Sequence, residues 1–256
     1  MTIEERDIEM GIRFRVVRND LANARAFYDD RGRRVIEVFV GLIRATEIFS
    51  DARAYVRINR HSDAGDGYIN YVIKEIQSRL SRGILGKEAG EIQSFAQFIG
   101  MSESQYRQFR SHPIVSQHLE FEMNASLMWI VGHELGHHIR GHVDSPKLPP
   151  DERRALEEEA DDVGFRLMRD SGYNALGTVP IILAFAVWDP EAHRFEGSRT
   201  HPSPLRRLKR NLEAGFLSAL NEPGFEDYLR QSGKMKEFRD EMIRDRAKID
   251  NILALP

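Results

Sequence analysis

Apolar side chains recur at helical spacing along most of the chain, which predicts a mainly α-helical fold of the α+β class. The segments with this spacing lie at roughly 33–50, 87–100, 102–110, 120–142, 151–171, 176–187, 203–220 and 224–250. The run from Val179 to Trp188 (VPIILAFAVW) is apolar throughout and predicts a buried core helix. Its ten residues span about 15 Å as a helix, half of the roughly 30 Å of a bilayer core.

One part of the N-terminal half departs from the helical pattern. Residues 53–60 (RAYVRINR) and 68–73 (YINYVI) are rich in Tyr, Val and Ile and alternate in part between apolar and polar positions. The run HSDAGDG between them is rich in turn-forming residues. Together these features predict a β-hairpin over about residues 53–73.

Composition and charge narrow the functional classes. The 256 residues are 41% hydrophobic and 30% charged, which is typical of a globular protein. The net charge of −3 gives no whole-chain attraction to nucleic acid or to an anionic membrane, and we expect neither as a partner. The acidic start MTIEERDIEM lacks the apolar run of a secretory signal, so we expect a cytoplasmic protein without an integral membrane segment. Because the chain has no cysteine, any metal site must use His, Asp and Glu.

The most informative segment is WIVGHELGHHIRGHVD, residues 129–144, which contains the motif HExxH. On a helix, His133 and His137 lie on one face, so two imidazoles can bind the same ion. Glu134 is rotated by about 100° from His133. This places its carboxylate beside the ion, where it can act as a general base toward water.

A catalytic zinc site requires a third protein ligand and one open position. The metzincin pattern HExxHxxGxxH fails, because Arg140 stands where it requires glycine. A glutamate ligand is the better interpretation, since residues 151–168 (DERRALEEEADDVGFRLM) predict a second helix with acidic residues beside its apolar face. Helical phase alone leaves both Glu157 and Glu158 as candidates. Asp161 can accept a hydrogen bond from a ligand histidine and fix its tautomer.

Glycine is costly in a helix interior, by up to about 1 kcal/mol relative to alanine. Gly132 and Gly136 nevertheless flank the histidines of the motif. We expect them to permit the close approach of a substrate or of another element, and packing alone also explains them.

Three motifs in order, HELGHHIRGH, EEEADDVG and THPSPLRRL, resemble the zinc metallopeptidase family that includes the HtpX-like heat-shock peptidases and the CAAX prenyl endopeptidases. The resemblance covers roughly residues 125–210. It implies a mainly helical, zincin-like domain of the gluzincin type, in which the HExxH helix packs on a glutamate-bearing helix. It also implies a zinc endopeptidase with a restricted protein or peptide substrate. His133, His137 and Glu157 would hold Zn²⁺, because the family's Ala-Asp step selects Glu157 over Glu158.

The resemblance implies roles for further residues. Glu134 would be the general base and would then return its proton to the leaving amine. His201, in the His-Pro motif, would lie near the open face of the metal and stabilise the oxyanion with the help of Arg207. For His138 and His142 we expect packing or hydrogen bonding and not metal ligation.

We therefore expect one metallopeptidase domain over residues 1–256. Its parts are an N-terminal helical region with the hairpin, a catalytic core and a charged C-terminal helix, at 1–115, 116–220 and 221–256. A gluzincin of the phage-exclusion type, or a regulatory metallopeptidase that cleaves one partner, matches the same residues. A second hypothesis is a catalytically silent or latent metal-binding interaction module with a peptidase fold. Manganese and cobalt stay open beside zinc, since histidine–carboxylate sites accept several metals.

Overall fold

The computed structural model describes the chain in five stretches and at the single positions 231, 233 and 236. The stretches are 11–59, 63–81, 92–144, 148–188 and 204–220. Within them the fold is mainly helical, with a small three-stranded mixed sheet. The helix that carries His133 and His137 packs against the helix that carries Glu157. These features confirm the predicted fold class.

The sheet is formed by residues close to the N-terminus. Its strands are β1 (Arg13–Val17), β2 (Ala24–Tyr28) and β3 (Arg34–Phe39), in the spatial order β1-β3-β2. Strand β1 is parallel to β3, and β2 is antiparallel to it. The central strand is almost wholly buried.

The first part of the helix predicted over residues 33–50 is wrong. Residues 34–39 form strand β3, and the helix begins at Val40. A strand buried on both faces reads as a nearly continuous apolar run, and over a few residues such a run cannot be told from a buried helix. The sequence RVIEVF of β3 is of this kind.

The β-hairpin predicted over residues 53–73 is wrong. Helices α1 (Val40–Ile58) and α2 (Ala64–Ser81) occupy this region. The aromatic and β-branched residues that suggested strands are buried on helix faces: Tyr68 and Val72, four residues apart, are both fully buried. Their burial in the core outweighs the intrinsic preference of such residues for strands.

The remaining helices follow the predicted order. They are α3 (Phe95–Phe98), α4 (Glu103–Ser111), α5 (Pro113–Ile139), α6 (Pro150–Asp170), α7 (Val179–Trp188) and α8 (Pro204–Leu220), with short 3-10 helices at His142–Asp144 and Ala175–Thr178. The charged C-terminal helix predicted at 221–256 lies outside the described stretches, and the predicted domain boundaries stay a prediction.

Helix α7 is the predicted core helix. Ile181, Ile182 and Ala184 are fully buried. The helix packs on α1 and α8, and α1 packs in turn on α5. Among the described residues, no helix combines the length and the apolar character that a membrane crossing requires.

Candidate metal centre

Helices α5 and α6 approach each other closely because glycine and alanine lie on both sides of their contact. A Cβ added to Gly132 would lie 2.9 Å from the Cα of Gly164, and a Cβ on Gly136 would lie 2.9 Å from the Cα of Ala160. A Cβ on Gly164 would lie 2.7 Å from the carbonyl oxygen of Trp129. The element that Gly132 and Gly136 admit is therefore helix α6.

Three donor side chains meet where the two helices lie side by side. The Nε2 atoms of His133 and His137 are 3.2 Å apart. Glu157 places Oε2 3.2 Å from the Nε2 of His133 and Oε1 3.6 Å from the Nε2 of His137. One ligand atom of each residue lies within 4.8 Å of the other two. Two imidazoles and a carboxylate are a donor set of catalytic zinc sites, so these residues fit a divalent metal ion.

The neighbouring glutamate points elsewhere. Glu158 forms ion pairs with two arginines of α8, at 3.7 Å from Arg206 and 3.4 Å from Arg210. Of the two candidates that helical phase left open, the structure brings Glu157 to the histidines.

A buried ion pair lies behind His133. Oδ1 of Asp161 is 2.8 Å from the Nδ1 of His133, which is the contact predicted for this aspartate. Arg207 donates from Nε to Oδ2 at 2.8 Å and from Nη2 to Oδ1 at 2.6 Å. Its guanidinium also lies 4.9 Å from the centroid of a Trp129 ring. Asp161 is 2% exposed and Arg207 is 5% exposed.

Arg207 thus lies on the Nδ1 side of His133, with its Nη2 3.3 Å from that atom. The metal-facing atom of His133 is Nε2, on the other side of the ring. The contacts of Arg207 are those of a group that holds Asp161 in place, and its predicted role toward an oxyanion stays a prediction. His201 lies outside the described stretches, so its predicted role stays a prediction too.

The electrostatics of the site favour a cation at His133. Burial lowers the pKa of His133, but its contacts with the carboxylates of Asp161 and Glu157 outweigh burial and raise the pKa to about 9. Burial raises the pKa of Asp161, yet Arg207 and His133 lower it to about 2, so Asp161 is ionised at neutral pH. Of these two carboxylates, Glu157 lies on the Nε2 side of His133, where its negative charge would also stabilise a divalent cation.

Glu134 follows His133 in the sequence, and its side chain is buried. Burial raises the pKa of its carboxyl above the ordinary value of a glutamate. A raised pKa makes the carboxylate a stronger base toward a proton. This property suits the general base that the motif predicts.

The two other histidines of the segment make hydrogen bonds, as predicted. The Nε2 of His138 donates to the backbone carbonyl of Val35 at 3.1 Å, and its ring meets Tyr28 edge-on at 5.5 Å. This contact ties α5 to the sheet. The Nδ1 of His142 lies 3.2 Å from the Nδ1 of His137.

Sequence reasoning missed two residues at the site. One is Trp129, whose ring lies under the guanidinium of Arg207. The other is Glu159, which has an exposed side chain, and its Oε2 lies 3.3 Å from the Nε2 of His142. The sequence signal for the contact between Glu159 and His142 is Gly141. A glycine directly after a helix predicts a turn, and this turn returns His142 toward the helix end.

Comparison with protein families gives a match over the part of the chain that holds this site. The family model described as Peptidase U49 matches residues 117–222, somewhat less than half of the chain. No curated protein matches the chain, and no solved structure matches it. The match supports a peptidase with a metallopeptidase-like domain and does not single out the HtpX-like or CAAX prenyl endopeptidases. The stretch that is similar to Peptidase U49 contains the whole His133, His137 and Glu157 group.

Proposed function

We propose that this protein is a zinc-dependent endopeptidase of the gluzincin type that acts in the cytoplasm on a restricted, regulatory protein substrate. The observation that carries the proposal is the convergence of His133, His137 and Glu157 within 4.8 Å, inside the stretch similar to Peptidase U49. When bound, a divalent ion supplies Lewis acidity that polarises a scissile carbonyl and acidifies water. Zinc is the expected ion because this donor set is typical of catalytic zinc sites.

The residues that would hold the ion are His133 and His137, through their Nε2 atoms, and Glu157, through its carboxylate. Asp161 accepts a hydrogen bond from the Nδ1–H of His133, so the Nε2 of this histidine keeps its lone pair for the metal. Arg207 balances the charge of Asp161 and fixes its orientation through two hydrogen bonds. In this proposal Arg207 is a positioning residue.

Glu134 moves the proton of the reaction. As the oxygen of water bonds to the carbonyl carbon of the substrate, Glu134 takes the proton that the water loses. When the bond between this carbon and the amide nitrogen breaks, Glu134 gives the proton to the leaving nitrogen. Burial raises the pKa of Glu134. Its proton affinity is thereby brought closer to those of the attacking water and the leaving nitrogen. His201 is proposed to donate to the developing oxyanion.

The test separates this enzyme from a silent metal-binding module. Elemental analysis of the purified full-length protein should give close to one zinc per chain, and His137→Ala should lose it. New protein N-termini should appear in cells that express the wild-type chain and should be absent with Glu134→Gln, which keeps its zinc.

A silent module would hold zinc without producing new termini in any of these cells. A Glu134→Gln variant that cleaves at the wild-type rate would exclude the proposed mechanism. A wild-type chain without bound metal would exclude the zinc site itself.

A further inference from the structure

A second histidine lies behind His137, as Asp161 lies behind His133. The Nδ1 atoms of His137 and His142 are 3.2 Å apart, and the two rings meet edge-on with centroids 5.3 Å apart. The backbone makes this contact possible. Gly141 has φ +70°, a left-handed conformation that glycine adopts without steric cost, and the chain turns back there after the end of α5. His142, whose side chain is only 5% exposed, is thereby held against the last turn of α5.

His137, His142 and Glu159 form a series of hydrogen bonds. A metal ion at the Nε2 of His137 determines which atom donates in each of them. The Nε2 of His137 faces His133 and Glu157, so a metal-binding His137 carries its proton on Nδ1. This N–H donates to the Nδ1 of His142, which must then be an acceptor. The proton of a neutral His142 therefore sits on its Nε2, which lies 3.3 Å from Oε2 of Glu159. A carboxylate oxygen is the acceptor that this N–H requires.

We propose that His142 and Glu159 are positioning residues that hold His137 in the tautomer and ring orientation required for metal binding. The inference rests on the proposed function, because it assumes a metal ion at the Nε2 of His137. The two metal-binding histidines are then supported in different ways. The Nδ1 of His133 contacts a buried carboxylate directly, whereas the Nδ1 of His137 is linked to a carboxylate through a second imidazole.

Because of this difference, we expect Asp161 to support His133 more strongly than Glu159 supports His137. The side chain of Glu159 is 57% exposed, so water screens its charge, whereas Asp161 is buried with its arginine. We therefore expect His142 to matter more than Glu159, because loss of the imidazole removes the acceptor that contacts the Nδ1 of His137 directly.

The experiment measures zinc affinity by competition with a chromophoric chelator, using the metal-free full-length protein. His142→Phe keeps a ring of similar size and removes both nitrogens, and it should weaken zinc binding by about tenfold to a hundredfold. His142→Asn restores an acceptor oxygen close to the position of Nδ1 and should recover most of the affinity. Glu159→Ala should weaken binding by a few fold. Glu152→Ala, at another exposed glutamate of α6, is the matched control and should bind zinc as the wild type does.

Thermal unfolding of each metal-free variant shows whether the change is local, and the melting temperature should stay close to that of the wild type. The visible spectrum of the Co²⁺ form gives a second readout, since it reports the geometry at the ion. The inference is overturned if His142→Phe folds and binds zinc with wild-type affinity, or if His142→Asn binds as weakly as His142→Phe. If His142→Phe does not fold, the zinc affinities of His142→Asn and Glu159→Ala relative to the wild type test the inference instead. His137→Ala tests the proposed site separately, because it must abolish binding whatever His142 does.

Discussion

Gly132 of α5 and Gly164 of α6 face each other across the contact between the two helices, and a Cβ on the first would lie 2.9 Å from the Cα of the second. Real side-chain contacts are almost never that short, so the helices can lie at this distance only with glycine at both positions. The same helices carry the two histidines and Glu157. The separation of these three donor side chains is thus set by residues outside the donor group.

Gly164→Ala is expected to separate the helices. The added methyl group would lie 2.7 Å from the carbonyl oxygen of Trp129 and 2.8 Å from the backbone nitrogen of His133, and neither backbone atom can move alone. We expect a loss of about 1–3 kcal/mol in the free energy of unfolding and weaker zinc binding, measured by urea denaturation and by chelator competition. Gly67→Ala is the control, since its methyl group would lie 3.8 Å from Phe98. Equal stability and zinc affinity of the Gly164 variant and the wild type would contradict the prediction.

Arg207→Met is expected to destabilise the fold, because it leaves the buried carboxylate of Asp161 without its cation. Removal of one partner of a buried pair costs about 3–5 kcal/mol, which denaturant unfolding measures. Arg206→Met is the matched control. That side chain is exposed and lies 3.7 Å from Glu158, and an exposed pair contributes about 1 kcal/mol or less. If Arg207→Met abolished cleavage and left stability unchanged, the oxyanion role would replace the positioning role.

Parts of the site could be predicted from the sequence because they depend on local spacing. Residues four apart share a helix face wherever the helix forms, and this relationship places His133 beside His137. The choice of Glu157 and the link from Asp161 to a ligand histidine depend on two helices meeting. Helical phase placed Asp161 beside a ligand histidine, but the choice of Glu157 over Glu158 needed the resemblance to a known family. The contact between His142 and Glu159 depends on the turn after α5 and on which side of α6 faces that turn. Helical periodicity predicts neither of these features.

The errors in the fold have the same origin. Strand β3 is buried on both faces, and a short apolar run does not distinguish a strand from a helix. Tyr68 in α2 suggested a strand because of its residue type, but it packs edge-on against Phe95 with ring centroids 5.2 Å apart. Contacts of this kind are made by the whole fold, and they decide the local structure where intrinsic preference is weak.

Asp51 is expected to make stability depend on pH. It is buried in α1, accepts a hydrogen bond from the hydroxyl of Tyr106 and lies 3.4 Å from Arg110. Burial raises its pKa from an ordinary 3.8 to about 6, although Tyr106 and Arg110 oppose the shift. Between these values the folded chain binds a proton that the unfolded chain has released. The free energy of unfolding should therefore fall as the pH rises from about 4 to about 6, by an amount on the order of 2–3 kcal/mol.

Asp51→Asn should remove this dependence and leave the variant the more stable protein near pH 7. Urea unfolding at intervals from pH 4 to pH 7 measures it. The control is Asp20→Asn, since the side chain of Asp20 is 77% exposed and its replacement should leave the profile unchanged. A profile of Asp51→Asn that is parallel to the wild-type profile would show that the burial of this carboxyl does not control the effect.

Zinc is expected to stabilise the folded chain, because His133 and His137 on α5 meet Glu157 on α6 only when the helices are packed. A ligand that binds only the folded state at a hundred times its Kd adds about 2.7 kcal/mol to the free energy of unfolding. Chelator-treated protein should therefore melt at a lower temperature, and added zinc should raise it in a concentration-dependent way. His137→Ala should show no such response. If that variant gained as much stability from zinc as the wild type, the stabilising ion would bind elsewhere and the assignment of these three ligands would be wrong.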